Sequence, residues 1–311
     1  MSLLTWAAGP ISVRTGSSGF GIASTAEEVT RGVDMSGKVV LITGVNSGLG
    51  AETARVMAMR GARIVGLART QEKADAAVSA YDNAIGVACE LSEPSSVRQA
   101  VKDVIATDVF IDALITNAGI MALPERTVRH GQEMQFLTNH VGHFILVTGL
   151  LERLAPKGRV VALSSLGHRM VPKGGIHFED LSFERGYDPG RAYGQSKLAN
   201  LLFARALSKR LPAGQTANSV HPGVIATNLT RHMAPILKVT TSLMSTLALK
   251  SVEQGAATQS YVAASPAVTG VTGKYFSHCN VASTSAHAKD DALAERLWTR
   301  TESIVAGFGL D

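Results

Sequence analysis

The sequence predicts an α/β fold in which one doubly wound parallel sheet of about seven strands carries helices on both faces. From Lys38 onward, short apolar runs alternate with longer amphipathic stretches, the rhythm of right-handed strand–helix–strand crossovers. A glycine-rich turn joins the first apolar run to the first amphipathic stretch, and no internal repeat or low-complexity linker interrupts the pattern. The predicted strands are Val39 to Thr43, Arg63 to Ala68, Ala84 to Cys89, Ile111 to Thr116, Arg159 to Ser164, Thr216 to Val220 and Lys274 to Phe276.

Helical periodicity fills most of the segments between these strands, and a single domain over residues 24–311 accommodates them all. The domain is predicted to begin with a short helix, because Ser24 and Thr25 precede Glu27 and Glu28 at the spacing of two overlapping capping boxes. Residues 1–23 are predicted to form a flexible arm, since this stretch has no acidic residue. The other predicted helices are Gly50 to Arg60, Pro94 to Ala106, Gly131 to Leu154 and Tyr193 to Leu211.

Composition excludes several classes of protein. At 311 residues, 45% hydrophobic and 18% charged, the chain is too apolar for a disordered protein. No run approaches the roughly 18 apolar residues of a membrane-spanning helix. The two cysteines, Cys89 and Cys279, lie far apart, which argues against a disulfide framework and for a reducing, cytoplasmic location. Organellar targeting by the arm is the alternative.

Charge and histidine content also limit the partners. The formal net charge is +5, but no cluster of lysines and arginines resembles a nucleic-acid patch. The surplus positive charge instead suits a phosphorylated cofactor. The nine histidines lack regularly spaced cysteine or carboxylate neighbours, so no metal site is predicted.

The glycine-rich turn has the spacing of a dinucleotide-binding loop. Its three glycines would let the backbone turn tightly, approach a pyrophosphate and pack the following helix against the strand. Free N–H groups at the helix start would then face the phosphates. Because the turn lies between a strand and a helix, it predicts a Rossmann-type cofactor site. The residues predicted to contact the cofactor here are Gly44, Asn46, Ser47, Gly48, Leu49 and Gly50.

The end of the second strand predicts NADP(H) rather than NAD(H). An acidic residue at this position would bind the ribose 2′-hydroxyl, whereas an arginine accommodates a 2′-phosphate. The chain has no carboxylate there and places Arg69 directly after the strand. Arg69 is therefore the predicted phosphate-binding residue, and the alternative is that it merely caps the strand end in solvent.

Two further segments predict proton-transfer chemistry. Tyr193 and Lys197 are four residues apart, so on a helix both side chains lie on one face. A nearby ammonium is expected to lower the pKa of the phenol and fit it for exchanging a proton with a carbonyl or alcohol oxygen. Ser165 ends the fifth predicted strand, where ligands of parallel sheets bind, and its hydroxyl could stabilise charge on the reacting oxygen.

Taken together, these motifs resemble the short-chain dehydrogenase/reductase family over nearly the whole chain. Within that family, the segments Asn139 to Phe144 and Arg191 to Asn200 are most similar to the branch of retinol-dehydrogenase-like and Tic32-like proteins. The motifs that occur in the family order are Thr43-Gly44-x-x-x-Gly48-x-Gly50, Asn117-Ala118-Gly119, Asn139, Ser165, Tyr193-x-x-x-Lys197 and Pro222-Gly223.

The resemblance implies a role for each matching residue. Tyr193 would be the general acid/base, Lys197 would lower its pKa and hold the nicotinamide ribose, and Ser165 would orient the substrate. Asn139 would fix a water that links Lys197 to solvent, and Thr227 would contact the nicotinamide carboxamide. The remaining residues expected to contact the cofactor are Glu90, Leu91, Asn117, Ala118, Gly119, Pro222 and Gly223.

Three positions depart from the family pattern. Thr116 replaces the first of two asparagines before Ala118, which is expected to loosen a structural hydrogen bond. Glu90 replaces the usual aspartate near the adenine. The long segment from Leu166 to Arg191 is expected to form one wall of the substrate site. None of these departures removes a catalytic group.

The substrate is expected to be a small hydrophobic carbonyl compound or alcohol. Apolar residues recur through positions 228–250, directly after Thr227, and predict a substrate lid, although core packing is the alternative. The resemblance also implies a homodimer or homotetramer formed through the helices at 131–154 and 193–211.

Two other functions remain open. The chain could be an NADP(H)-binding, redox-sensing interaction protein of the Tic32 type, for which the basic segment Leu201 to Leu211 is a weak candidate for a partner helix. It could also reduce a C=C bond, since the same residues can protonate carbon after hydride transfer.

Overall fold

The structure is a computed structural model that describes residues 15–225 and 250–309. Residues 1–14 of the predicted arm, Thr227 and nearly all of the predicted lid lie outside these ranges. At the described end of the arm, the Asn280 side chain accepts a hydrogen bond from the Ser18 N–H at 2.9 Å and donates one to the Phe20 carbonyl at 3.0 Å. Within the two described ranges, none of the helices combines the length and hydropathy needed to cross a bilayer.

One mostly parallel sheet forms the centre of the fold, as predicted. Its order is β10-β9-β8-β7-β4-β1-β2-β3, and only β10 runs antiparallel to its neighbour. Starting from β1, the chain first adds β2 and β3 on one side of this strand and then adds β4 and β7 on the other side. The direction in which strands are added therefore reverses beside β1. Its main strands are β1 Val39–Thr43, β2 Arg63–Ala68, β3 Ile85–Ala88, β4 Ile111–Thr116, β7 Leu154–Leu163, β8 Thr216–His221, β9 Tyr275–Ser277 and β10 Asn280–Val281.

This reversal determines where a ligand can bind. In open α/β sheets, the crevice outside the carboxyl ends of the strands at such a switch point is the usual ligand site. The carboxyl ends of β1, β4 and β7 carry Thr43, Thr116 and Leu163, each directly before a sequence motif with a predicted role.

Helices cover both faces of the sheet. One hydrophobic cluster joins the sheet to α4, α6, α7 and α9, and a second joins the opposite face to α2 and α8. The helices are α1 Ala26–Val29, α2 Gly48–Met59, α3 Gln71–Val78, α4 Pro94–Ala106, α5 Met134–Phe136, α6 Gly142–Gly149, α7 Pro189–Ser208, α8 Val252–Ala264 and α9 Asp291–Ala306.

The helix predicted over 131–154 is wrong in its extent. His130 and Gly131 have φ values of 50° and 72°, and they form the turn of a small hairpin between β5 Val128–Arg129 and β6 Gln132–Glu133. Positive φ at two successive residues suits a hairpin turn and excludes a helix start there. Helical structure begins at α5, passes through a π-helical segment Leu137–Val141 and ends with α6 and a 3₁₀ turn Leu151–Arg153.

Most of helix α7 is buried within the fold. Every residue from Ala192 to Ala204 is buried, because the sheet, the π-helical segment, the 3₁₀ turn Leu166–Arg169 and α9 all pack against α7. Trp298 of α9 stacks on Phe203 with ring centroids 5.7 Å apart and an interplanar angle of 9°. The residues from Ala192 to Ala204 therefore have no exposed face through which the oligomer contact implied by the family could form.

The packing of α7 against α9 also involves the basic segment Leu201 to Leu211, the candidate partner helix. Arg205 and Lys209 both form ion pairs with Asp291 of α9, the latter at 2.9 Å. Arg210 pairs with Glu295, and its guanidinium lies 4.2 Å from the Trp298 ring centroid. The basic side chains of this segment thus bind α9 within the fold, which weakens the case for a separate partner helix.

Candidate active site

The glycine-rich turn after β1 has a backbone that larger residues would not adopt. Gly44 and Gly48 have φ values of 70° and 54°, in the left-handed region that glycine tolerates. A Cβ at Gly50 would lie 2.2 Å from the Gly44 carbonyl oxygen, so α2 packs against the turn only because no side chain intervenes. The turn thereby forms the tight cradle that a dinucleotide pyrophosphate requires.

The start of α2 leaves backbone donors available. The side chain of its N-cap residue, Ser47, forms no capping hydrogen bond within the described ranges, whereas N-cap side chains accept such bonds at the starts of α3, α7, α8 and α9. Asn46 and Ser47 are exposed, and Gly48 and Leu49 are half-buried. The first N–H groups of α2 are thus free to bind an anionic group, which fits a nucleotide phosphate.

Asn117 ties the turn after β4 to the end of β1. Its Nδ2 donates to the Thr43 carbonyl at 2.9 Å, and the Ala118 N–H donates to Thr43 Oγ1 at 3.0 Å. Gln259 of α8 donates to Asn117 Oδ1 at 3.3 Å. Thr116, the residue at which a looser contact was expected, is buried beside this network. Gln259 had no signal in the sequence, because it reaches the site from 142 residues away.

Asn139 lies in the π-helical segment, and its side chain is fully engaged. Its Oδ1 accepts the Ile120 N–H at 2.8 Å, and its Nδ2 donates to the Ile120 carbonyl and to Ser196 Oγ, both at 2.9 Å. Gly119 separates this amide from Lys197, since a Cβ there would be 3.0 Å from Asn139 Oδ1 and 3.4 Å from Lys197 Nζ. The absence of a side chain at position 119 brings the two groups together.

His143 joins Asn139 to β1. Its Nδ1 lies 2.9 Å from the Asn139 carbonyl oxygen, and its Nε2 lies 2.9 Å from Thr43 Oγ1. Burial lowers the pKa of His143 to about 4, so the ring is neutral at physiological pH. Because a carbonyl only accepts, Nδ1 carries the proton and Nε2 accepts the Thr43 hydroxyl. This link between the two motifs was not anticipated beyond general hydrogen bonding.

Tyr193 and Lys197 lie on one face of α7, as their spacing predicted. Both are buried, and Lys197 Nζ lies 5.7 Å from the Tyr193 ring centroid. The ammonium donates to the Leu163 carbonyl at 3.3 Å, which anchors it to the end of β7. Ser165, two residues beyond Leu163, has its side chain beside the Tyr193 ring, since a Cβ on Gly167 would lie 2.8 Å from Tyr193 Cε1 and 3.4 Å from Ser165 Oγ. The three predicted groups therefore meet at the carboxyl end of β7.

Burial controls the protonation of both titrating groups. It raises the pKa of Tyr193 to about 12, opposed by the neighbouring Ser165 side chain, and it lowers the pKa of Lys197 to about 8. Desolvation thus outweighs the lowering of the phenol pKa that the spacing alone suggested. The Tyr193 phenol is therefore protonated at neutral pH.

Arg69 lies at the carboxyl end of β2, where its side chain is 68% exposed. Its Nε is 3.8 Å from the carboxylate of Glu90, a distance at which an exposed pair contributes little stability. That carboxylate also accepts hydrogen bonds from the N–H and hydroxyl of Ser92 at 3.1 and 2.9 Å. Leu91 is buried, and its carbonyl packs against Gly142. The Arg69 guanidinium is thus available to an anionic ligand.

Pro222 and Gly223 follow β8 directly. Gly223 has a φ of 104°, and a Cβ there would lie 2.5 Å from Lys250 Cδ. The turn therefore needs glycine for two reasons. Thr227, the predicted carboxamide contact, lies outside the described residues.

The chain is similar to known proteins over nearly its whole length. The family model for short chain dehydrogenases matches residues 38–178. A chloroplastic short-chain dehydrogenase of Brassica napus, TIC 32 B, is 42% identical over 314 residues, covering 96% of this chain and 98% of the relative. The chain belongs to the short-chain dehydrogenase/reductase family. It is accordingly an NAD(P)-dependent oxidoreductase that acts on alcohol or carbonyl groups.

Two further similar proteins bear on the branch of the family and on the fold of the chain. Mouse retinol dehydrogenase 11 is 38% identical over 278 residues, which is 86% of each chain. The predicted retinol-dehydrogenase-like and Tic32-like branch of the short-chain dehydrogenases is thereby confirmed. A crystal structure of an uncharacterized protein from Mycobacterium paratuberculosis superposes with a TM-score of 0.73 at 34% identity, covering 91% of this chain and 98% of that one.

Proposed function

We propose that the chain interconverts a carbonyl group and an alcohol on a hydrophobic substrate, with NADP(H) as cofactor and Tyr193 as general acid/base. The observation that carries this proposal is the meeting of Tyr193, Lys197 and Ser165 at the carboxyl end of β7, beside the cradle after β1. NADPH consumption in the presence of decanal is the basic assay.

Each group has one task in the proposed reaction. When bound, the nicotinamide supplies the hydride for reduction or accepts it in oxidation. Tyr193 gives its phenolic proton to the carbonyl oxygen, which becomes the hydroxyl of the product. The Ser165 hydroxyl donates a hydrogen bond to that oxygen while its negative charge develops. The Lys197 ammonium holds the nicotinamide ribose and stabilises the phenolate that Tyr193 leaves behind.

The preference for NADP(H) rests on the end of β2. No carboxylate lies at positions 69–71, directly after this strand, to bind a ribose 2′-hydroxyl, and the exposed Arg69 precedes Thr70, the N-cap of α3. Thr70 accepts a hydrogen bond from the Lys73 N–H at 3.3 Å, which places a second cationic residue, beside Glu72, in the first turn of that helix. These groups suit a 2′-phosphate, because guanidinium and phosphate form charge-assisted hydrogen bonds.

Replacing Arg69 by alanine is expected to abolish the preference. Fluorescence titration of the wild type should give an NADPH Kd at least about tenfold below that of NADH, a difference of about 1.4 kcal/mol. In Arg69→Ala the two values should converge through loss of NADPH affinity, whereas NADH affinity should stay unchanged. Arg98→Ala, which removes an exposed arginine of α4, is the matched control. Equal affinities in the wild type would contradict the cofactor assignment.

Exposed apolar side chains near the site support a hydrophobic substrate. Leu166 and Met170 are 47% and 55% exposed, on the turn that follows Ser165. Val224, directly after Gly223, is 57% exposed. An exposed apolar patch can mark a ligand-binding groove, whereas single exposed apolar residues are common on protein surfaces. The segment at 228–250 remains the proposed lid over this apolar rim.

A second candidate function follows from the relatives named TIC 32, which are 42% identical to this chain. The chain would then bind NADP(H) and dock a partner according to its redox state. Loss of turnover in a Tyr193→Phe variant that retains NADPH binding would favour the enzyme, since a sensor needs no proton donor.

A further inference from the structure

The 3₁₀ turn Leu166–Arg169, directly after Ser165, contains a histidine that the proposed reaction does not use. His168 has no exposed surface, and both nitrogens of its ring face backbone groups. Its Nδ1 lies 2.6 Å from the Ser165 carbonyl oxygen. Its ring meets the Tyr275 ring edge to face, with centroids 5.4 Å apart. A buried imidazole held this closely to one backbone carbonyl fixes the position of that carbonyl.

The hydrogen bonds fix the tautomer of His168. The Ser165 carbonyl can only accept, so Nδ1 carries the proton. Nε2 is then an acceptor, and the Ser285 N–H donates to it at 3.4 Å. Burial lowers the pKa of His168, which keeps the ring neutral and its two nitrogens in these roles. The histidine thus connects Ser165 to the segment that follows β10.

The same turn also fixes the Ser165 side chain. The Gly167 N–H donates to Ser165 Oγ at 3.1 Å, so this oxygen accepts one bond from the backbone and the serine hydroxyl keeps its own proton as a donor. Gly167 packs directly on Tyr193, since a Cβ there would lie 2.8 Å from Cε1 of the tyrosine ring. The position of the turn therefore controls how the Ser165 hydroxyl faces Tyr193.

We propose that His168 is a positioning residue, which holds the Ser165 backbone so that the serine hydroxyl points at the reacting oxygen. This proposal rests on the proposed function, in which Ser165 donates a hydrogen bond to that oxygen. The imidazole acts through the serine and does not contact the substrate. A displacement of about 1 Å in a group that binds the reacting oxygen can cost about a hundredfold in rate.

A second contact ties the turn to the same C-terminal segment without touching Ser165. The Arg169 guanidinium donates to the Ser283 carbonyl at 3.3 Å and lies at the surface. Removing it loosens the turn from Ser283 but leaves the bond between His168 and Ser165 in place. Arg169→Ala is therefore the matched control.

The test compares kcat for decanal reduction by NADPH. His168→Phe keeps an aromatic ring against Tyr275 but removes the donor, and kcat should fall about tenfold to a hundredfold with NADPH affinity unchanged. His168→Asn keeps an N–H donor at the δ position and should restore most of the rate. If His168→Phe does not fold, His168→Gln, whose amide lies one carbon farther out, carries the same expectation as His168→Phe.

A double-mutant cycle distinguishes positioning from general support. If His168 acts only through the serine, Ser165→Ala combined with His168→Phe should be no slower than Ser165→Ala alone. Three results would overturn the proposal while leaving the role of Ser165 intact. The first is a double variant whose loss of kcat is the product of the two single losses, and the second is a loss in Arg169→Ala equal to that in His168→Phe. The third is wild-type kcat in His168→Phe when Ser165→Ala is slow. Wild-type kcat in Ser165→Ala would overturn that role in the proposed function and the proposal with it.

Discussion

Replacement of Tyr193 by phenylalanine is expected to lower kcat for decanal reduction by about 10²–10⁴-fold, the usual contribution of a positioned general acid. The ring would keep its packing against Gly167, so only the hydroxyl that donates the proton is lost. Ser165 would remain in place, but its aliphatic hydroxyl is too weak an acid to replace the phenol as the proton donor. Steady-state consumption of NADPH, together with a titration of NADPH binding, measures both the loss and the integrity of the site.

Tyr275→Phe is the matched control for this substitution. The Tyr275 hydroxyl is also buried, and it has no hydrogen-bond partner among the described residues, so its removal should leave kcat within about twofold. A Tyr193→Phe variant that retained wild-type kcat would show that another group donates the proton. An equal loss in both variants would show that the effect comes from disturbing the fold around the site.

Acidification is expected to destabilise the protein strongly between pH 6.5 and 4. Burial lowers the pKa values of His140, His143 and His221 to about 3, 4 and 3, against about 6.5 in an unfolded chain. As the pH falls below 6.5, the unfolded chain takes up protons that the folded chain refuses, so stability present above 6.5 is lost progressively. At pH 5 the cost is about 2 kcal/mol for each histidine.

Urea unfolding at pH 7.5, 6 and 5 measures this dependence. Three such losses sum to about 6 kcal/mol, a large part of the 5–15 kcal/mol that stabilises a typical domain. His140→Leu removes one of the three titrating groups and should flatten the pH dependence by about a third. A free energy of unfolding that stays constant from pH 7.5 to 5 would show that these rings are hydrated or charged in the folded protein.

The sequence predicted the sheet well because its strands are short apolar runs between turn residues. All seven predicted strands occur, and Thr25 with Glu28 forms the predicted capping box. The segment from Gly131 was misjudged, because its hairpin depends on a positive φ at His130, a residue without a strong turn preference. Helix α9 was not predicted, although it packs against α7 and places Trp298 on Phe203.

The candidate site was predictable where its residues share a local motif. Tyr193 and Lys197 meet because they are four residues apart on one helix, and Ser165 because strand ends converge. The supporting contacts of Gln259 with Asn117 and of His143 with Thr43 were not predictable, since they join elements about a hundred residues or more apart. The pKa of Tyr193 was also beyond reach, because burial is a property of the whole fold.

The most direct test of the proposed reaction is the position of deuterium in the product when trans-2-decenal is reduced with NADPH that carries deuterium at the transferable position. This substrate offers both a carbonyl and a C=C bond to the same site. Carbonyl reduction with Tyr193 as acid predicts 2-decenol with deuterium on the carbinol carbon, and no such product from Tyr193→Phe. A saturated aldehyde with deuterium at the β-carbon, or no transfer of deuterium to any product, would contradict it.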